Sequence, residues 1–305
     1  MKTAHLFPAF IPEYLGIETS VIGEDRLHEK LQAASDLLGC NFTDFDILNN
    51  NYLDNPLISQ YITYIMSCCV SDLLHQSEIQ PDYVSSFSMG IYGALYHCKS
   101  IEFGCGLQMI LSAYNCIEQH LPPEKMGMCV IGGLSLDDIN GIMRSYVDKV
   151  SIVNQNSEFS FILSGHYHAL LKIIDNAKAD GAMQTRVLPV PHPYHSSVLK
   201  KASDEFARQI NEMEVNNSIY PLVSAMNQKI ISKKEDIIQE LVLNLYKPFH
   251  WWKTFDFMLS QQVNLFIECG AGESLYKVGK FIEGDFSVIN LKKMGKYLNG
   301  LRNNV

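Results

Sequence analysis

Short, continuous apolar runs alternate along the chain with segments whose apolar residues recur every three or four positions. The runs Ala4–Ala9, Tyr83–Phe87 and Leu265–Cys269 are each followed by a turn-forming stretch, as is typical of buried strands in a parallel sheet. From Ile58 to Leu73, the apolar spacing marks one face of a long helix. Because strand and helix patterns alternate, the sequence predicts an α/β fold with a mostly parallel sheet.

The segment 126–190 has a different order of elements. It predicts strands at Gly127–Ile131, Val150–Asn154, Phe159–Ser164 and Arg186–Val190, and helices at Leu136–Val147 and His168–Ala179. Ser135 stands before the first of these helices as its N-cap. The order strand, helix, strand, strand, helix, strand is the ferredoxin-like pattern. We therefore predict a small ferredoxin-like subdomain at 126–190. It is inserted into a large catalytic subdomain, formed by 1–125 and 191–305, with an α/β-hydrolase-like parallel-sheet core.

Composition and charge restrict the class of protein. Of the 305 residues, 47% are hydrophobic and 19% are charged, which is typical of a folded globular protein. The formal net charge of −9 argues against general nucleic-acid binding, which depends on neutralising phosphates. Residues 1–185 carry 9 basic and 21 acidic side chains, whereas residues 186–305 carry 15 basic and 12 acidic ones. A basic face in the last third suits an acidic protein partner, although an ordinary solvated surface explains the same charges.

Cysteine spacing and the N-terminal segment bear on location. The eight cysteines form no C-x-x-C pair and no zinc-site spacing, so we expect reduced thiols and no metal. The first residues contain no secretory signal, and no apolar run approaches the length of a membrane span. We therefore expect a cytoplasmic protein that does not bind membranes.

The segment around Ser88 resembles a nucleophile elbow. A predicted strand runs into Ser88, small residues occupy the positions two before and two after it (Ser86 and Gly90), and a helical pattern follows. A sharp strand-to-helix turn lifts the hydroxyl out of the sheet and aims the backbone N–H of Met89 at a developing oxyanion. Because a serine hydroxyl needs a base, one of the ten histidines is expected to serve it.

Further motifs give the chain a family resemblance. They are Phe7-Pro8, Ser88-Met89-Gly90, Ile101-Glu102-Phe103, Asn154-Gln155-Asn156-Ser157, Ser164-Gly165-His166, Leu188-Pro189-Val190, Tyr194-His195-Ser196, Lys247-Pro248-Phe249-His250-Trp251 and Phe266-Ile267-Glu268-Cys269-Gly270-Ala271-Gly272. In this order they resemble, from end to end, the malonyl-CoA:acyl-carrier-protein transacylases and the acyltransferase domains of polyketide synthases. Single motifs are weak, but their collinear order makes the resemblance specific.

The resemblance implies the catalytic roles. His195 corresponds to the base of a Ser–His dyad that has no carboxylate partner, and the backbone carbonyl at His250 corresponds to the group that orients the imidazole. The backbone N–H groups of Met89 and Phe10 correspond to the oxyanion hole. A metal site at His192 and His195 is the alternative reading, but no third ligand is apparent in the sequence.

The chain departs from the family at positions that set specificity. The arginine that binds the free carboxylate of malonyl groups falls on Ala113, and a buried carboxylate without a partner is costly. Phe87 replaces the histidine before the nucleophile, which makes the site more apolar. Tyr194 corresponds to a bulky aromatic residue that closes the acyl pocket. With His192 and Asn156, these residues are the expected pocket lining, and they favour a small acyl group.

These observations predict an acyltransferase without a cofactor of its own. It would move a small acyl group, such as malonyl or acetyl, from coenzyme A through acyl-Ser88 to the phosphopantetheine thiol of an acyl carrier protein in polyketide or fatty-acid biosynthesis. The expected partners are therefore an acyl-CoA and the carrier protein, and a monomer satisfies this scheme. Two alternatives stay open: a hydrolase that releases acyl groups from carrier proteins, and an inactive scaffold that binds carrier proteins.

Overall fold

The computed structural model describes residues 2–9, 18–43 and 55–302. The strands are β1 Lys2–Phe7, β2 Tyr83–Ser86, β3 Met126–Gly132, β4 Val150–Ser157, β5 Ser160–His166, β6 Gln184–Val187, β7 Leu222–Val223, β8 Ile230–Ile231, β9 Val263–Glu268 and β10 Ser287–Ile289. The helices are α1 Glu18–Ile22, α2 Glu24–Leu38, α3 Pro56–Gln76, α4 Ile91–His97, α5 Phe103–His120, α6 Leu136–Met143, α7 Tyr167–Ala179, α8 Lys200–Ile210, α9 Lys234–Tyr246, α10 Trp251–Ser260, α11 Ser274–Gly279 and α12 Leu291–Arg302.

The strands form two separate sheets. The larger has the order β10-β9-β1-β2-β7-β8, in which the first five strands are parallel and β8 is antiparallel to β7. The smaller has the antiparallel order β4-β5-β3-β6, which is the strand order of a ferredoxin-like fold. The predicted fold class, a parallel-sheet α/β core with a separate small antiparallel sheet, is therefore confirmed. The predicted subdomain boundaries stay a prediction.

Within the small sheet's segment, one predicted helix is too long. The helix that starts after Ser135 has the expected cap, and Asp138 completes it as a capping box. It ends at Met143 rather than Val147. Beyond it, the N–H of Tyr146 bonds to the carbonyl of Met143 and the N–H of Lys149 to that of Tyr146. These bonds join residues three positions apart, as in a 3₁₀ turn. The apolar spacing therefore continues past Met143 although the α-helix has ended.

Helix α3 is the central helix of the core. It packs against α2, α4 and α5. Among the described residues it is the helix that is long and apolar enough to cross a membrane, with a mean hydropathy of 1.3, but 83% of that stretch is buried inside the protein. Its length and composition are therefore explained by burial among other helices.

The start of α4 is pressed against the end of β1. A Cβ added to Gly90 would lie 2.1 Å from the carbonyl oxygen of Phe7, and one added to Gly93 would lie 2.9 Å from both Phe7 and Ser67. At its other end, α4 is fixed by His97, whose Nε2 contacts Nδ1 of His5 on β1 at 2.9 Å and whose Nδ1 contacts the Ser71 hydroxyl at 2.8 Å. These contacts hold both ends of α4 against the sheet, and they thereby fix the turn that precedes the helix.

We predict that Gly90→Ala lowers the free energy of unfolding by about 3 kcal/mol, because the new methyl group overlaps backbone rather than a flexible side chain. Urea unfolding followed by circular dichroism measures the change. Gly141→Ala is the matched control: a Cβ there meets nothing within 4 Å, and alanine in a helix interior should raise stability by about 0.5–1 kcal/mol. Equal stability of Gly90→Ala and the wild type would contradict the close packing.

Candidate active site

Ser88 occupies a strained turn between β2 and α4. Strand β2 ends at Ser86, Phe87 is extended, and Ser88 has a φ of 53°, in the left-handed region that non-glycine residues seldom adopt. The N–H of Phe87 bonds to the carbonyl of Phe7, and that of Gly90 bonds to the carbonyl of Phe87. This geometry is that of a nucleophile elbow, in which the surrounding fold holds the strained residue.

His195 lies directly against the serine. Its Nε2 is 2.6 Å from the Ser88 hydroxyl oxygen, although the two residues are 107 positions apart in the sequence. His195 also has a left-handed backbone, with a φ of 63°, and its N–H bonds to the carbonyl of Leu245. Its ring centroid lies 4.6 Å from that of Phe249, and only 1% of the residue is exposed. The nucleophile and the base expected from the sequence are therefore brought together.

Burial keeps the imidazole neutral. It lowers the pKa of His195 to about 4, and the backbone of Lys247 opposes this shift. No hydrogen bond of good geometry reaches the ring's Nδ1 within the described residues. Since the neutral ring can accept a proton at Nε2, His195 is in the state that a base requires at pH 7.

The carbonyl of His250, which the resemblance implies orients the imidazole, is bonded within its own helix. It accepts hydrogen bonds from the backbone N–H of Thr254 at 2.9 Å and from its hydroxyl at 2.8 Å, which closes the first turn of α10. Both of its lone pairs are thus engaged within the helix. Among the described residues, the backbone group that opposes the lowered pKa of His195 is that of Lys247, three residues earlier.

Asn244 belongs to the site and was missed from the sequence. Its side-chain nitrogen donates to the backbone carbonyl of Ser88 at 3.2 Å, and the neighbouring Leu245 accepts from the N–H of His195. One turn of α9 therefore holds both reacting residues. The available signal was an asparagine within the apolar stretch Leu241–Leu245, where a buried amide needs a partner.

A mostly apolar cavity of about 850 Å³ opens beside the Ser88 hydroxyl. The sequence-predicted residues that line it are Phe87, Met89, Ala113, Asn156, His192 and Tyr194, together with Ser88 and His195. The side chain of Asn156 is held from both sides, because its oxygen accepts from Asn154 at 2.5 Å and its nitrogen donates to Ser160 at 3.3 Å. Phe10, the other expected oxyanion donor, lies outside the described residues.

Basic side chains line the same cavity from both sheets' subdomains. Arg186 on β6 and Lys277 on α11 are among its lining residues, as is Lys280 just after α11. None of the three lies on α5, the helix that carries Ala113. Lys277 is 2.9 Å from a carboxylate oxygen of Glu273, which also lines the cavity, so the lining contains both cations and a carboxylate.

Together, these features define an α/β protein with a parallel sheet, a separate antiparallel sheet, and a serine that contacts a buried histidine at a strand-to-helix turn. No protein-family model matches the chain. The chain is, however, 24% identical to a malonyl CoA-acyl carrier protein transacylase of Staphylococcus aureus strain COL. The alignment is 308 positions long, gaps included, and covers 96% of each protein.

Solved structures give the same relationship. An acyl-carrier-protein S-malonyltransferase from Burkholderia pseudomallei 1710b superposes with a TM-score of 0.89 at 25% identity, covering 98% of this chain and 100% of that one. A malonyl-transacylase solved with its type II polyketide-synthase acyl-carrier protein superposes with a TM-score of 0.87 at 24% identity, covering 96% and 99%. The resemblance to malonyl-CoA:acyl-carrier-protein transacylases is therefore confirmed along the whole chain.

The pKa of His195 predicts how Ser88 should respond to pH. A neutral imidazole is needed to take the serine proton, and burial keeps it neutral down to a pH of about 4. The rate at which a thioester or an active-site-directed fluorophosphonate acylates or phosphonylates Ser88 should therefore stay level from pH 7.5 to 5.5 and fall as the pH approaches 4. Rapid-quench mass spectrometry measures this rate. A half-maximal rate near pH 6.5, the value of an unperturbed histidine, would contradict the buried base.

Proposed function

We propose that this protein is an acyltransferase that moves a small acyl group from a coenzyme A thioester, through acyl-Ser88, to the phosphopantetheine thiol of an acyl carrier protein. The observation that carries the proposal is the 2.6 Å contact between the Ser88 hydroxyl and Nε2 of a neutral, buried His195 at the wall of a large cavity. The relatives named above, which act as malonyl transacylases, support the substrate class.

The first half-reaction forms the acyl-enzyme. His195 takes the proton of Ser88 as the hydroxyl oxygen attacks the thioester carbonyl, and the resulting oxyanion accepts a hydrogen bond from the backbone N–H of Met89. When the tetrahedral intermediate collapses, the carbon–sulfur bond breaks and His195 returns the proton to the departing thiol. Asn244 fixes the backbone of Ser88 throughout, so the elbow keeps its geometry as charge develops.

The second half-reaction repeats these steps with the carrier thiol as nucleophile. His195 takes the thiol proton, the thiolate attacks the ester carbonyl, and the proton passes to Ser88 as it leaves. We expect the pantetheine arm to lie in the cavity of about 850 Å³, where Arg186 and Lys280 can pair with its phosphate groups. No cofactor is required, because the substrates carry coenzyme A or phosphopantetheine.

The acyl group is expected to be small. Tyr194 is half-buried next to the base, and its ring and that of Phe87 both line the cavity. Ala113 offers no charge from α5 to a free carboxylate. The site therefore favours a short acyl chain and offers a malonyl group no arginine from α5; the arginine that lines the cavity is Arg186 on β6.

We predict that Ser88→Ala abolishes acyl adducts on incubation with acetyl-CoA or malonyl-CoA, because the nucleophilic oxygen is gone. His195→Ala should slow adduct formation by about 10²–10⁴-fold through loss of the base. Intact-protein mass spectrometry, with and without a holo carrier protein, measures the adduct and its transfer. Equal labelling of wild type and Ser88→Ala would contradict the mechanism. Loss of the adduct to water at the same rate with and without carrier protein would identify a hydrolase instead.

We also predict that Ala113→Arg shifts acylation towards malonyl-CoA. The guanidinium would enter the cavity from α5 and pair with the free carboxylate, as an arginine–carboxylate pair does in a low-dielectric site. The ratio of malonyl to acetyl acylation rates should rise by at least about tenfold. Ala113→Met, which adds similar length without charge, is the control and should lower both rates. An unchanged ratio in Ala113→Arg would show that position 113 does not meet the acyl group.

A further inference from the structure

A network of hydrogen-bonded side chains surrounds His192 at the wall of the cavity. Nε2 of His192 is 2.6 Å from a carboxylate oxygen of Glu118 on α5. Nδ1 of the same ring is 3.3 Å from the Tyr194 hydroxyl, which is 3.3 Å from the side-chain nitrogen of Gln60 on α3. Gln60, His192 and Tyr194 also line the cavity that contains Ser88. The network therefore joins α5 to α3 through the loop that carries His195.

The partners determine where each proton lies. A carboxylate only accepts hydrogen bonds, so Nε2 of His192 carries the proton that it donates to Glu118. In the neutral ring Nδ1 is then an acceptor, and it accepts from the Tyr194 hydroxyl. The Tyr194 oxygen in turn accepts from Gln60. Each donor meets an acceptor, so the network is complete with a neutral imidazole and an ionised Glu118.

This arrangement places the carboxylate of Glu118 directly behind His192, which lines the cavity. His192 is 2% exposed, whereas the Glu118 side chain is 48% exposed on the far side of the imidazole ring. Burial lowers the pKa of His192 and Glu118 opposes the shift. At neutral pH the pair therefore carries one net negative charge, in the wall that also contains Ala113.

We propose that the Glu118–His192 pair is a specificity element that disfavours acyl groups with a free carboxylate and favours neutral ones. The inference rests on the proposed acyl transfer through Ser88 and goes beyond it by assigning the charge that selects the acyl group. The carboxylate of Glu118 and a free carboxylate on the acyl group would repel each other across the His192 ring. The uncharged Ala113 on α5 does not offset this repulsion. His192 lines the cavity, and Glu118 acts through it as a positioning residue.

The same pair makes the selectivity depend on pH. The groups that face His192 are Glu118 and Tyr114 from α5, Tyr194 from its own loop and, through Tyr194, the uncharged Gln60. Protonation of His192 on acidification leaves the pair with no net charge, so a carboxylated acyl group is then less disfavoured. The protonation of His195 affects every donor equally, so it cancels in a ratio of two donors.

The test compares malonyl-CoA with acetyl-CoA as acyl donors for Ser88 in the full-length protein. In the wild type, the ratio of the malonyl to the acetyl acylation rate should rise as the pH falls below 6.5 towards 4.5, because burial lowers the pKa of His192 from its usual 6.5. Glu118→Gln should raise the ratio about fivefold at pH 7.5, because the negative charge is gone, and should move the pH-dependent rise to lower pH, because Glu118 no longer supports the protonated form of His192. Acylation by acetyl-CoA shows that the variant's site is assembled.

Two controls separate charge from structure. Glu118→Asp keeps the charge and should retain the pH-dependent ratio, whereas Glu124→Gln removes an equal charge from the exposed segment after α5 and should leave the ratio as in the wild type. A Glu118→Gln ratio equal to that of the wild type at every pH would overturn the proposal. Absence of an acyl adduct on wild-type Ser88 with either donor would overturn the acyl-transfer function itself, and the proposal with it.

Discussion

The close approach of α4 to the end of β1 is the constraint on which the site depends. Gly90 lies so near the carbonyl of Phe7 that a side chain has no room, and this contact fixes the turn in which Ser88 takes a left-handed φ. Such backbone strain of about 1–3 kcal/mol persists only where surrounding packing enforces it. Here β1, β2 and the buried His97 supply that packing. The strained residue presents its hydroxyl to the cavity rather than to the sheet.

Separate contacts, made by α9, hold His195 against this hydroxyl. His195 lies on a loop after the small sheet's last strand, and its position is set by α9, whose Leu245 accepts its N–H. Asn244, the residue before, binds the backbone of Ser88. Since serine and histidine are 107 residues apart, neither can be placed until both sheets and α9 have packed. The contact between Ser88 and His195 is thus a consequence of the completed fold.

The cavity lining combines apolar and charged side chains. Phe87, Met89 and Tyr194 contribute apolar surface, Arg186 and Lys280 contribute cations, and Lys277 is paired with Glu273, which also lines the cavity. A thioester of coenzyme A or phosphopantetheine has a neutral acyl carbonyl at one end and phosphate at the other. Under the proposed function, the apolar surface suits the acyl end and the cations suit the phosphate groups.

The sequence by itself determined the fold class, the elbow serine and the order of the motifs, because these depend on local pattern: apolar runs, small residues around Ser88 and the cap at Ser135. It singled out His195 through resemblance rather than spacing. The tertiary structure decided the rest. The carbonyl of His250 closes a helix turn, Asn244 binds Ser88, and Glu118 meets His192 across 74 residues. Contacts between side chains so far apart depend on how helices and sheets pack, and no local pattern encodes that.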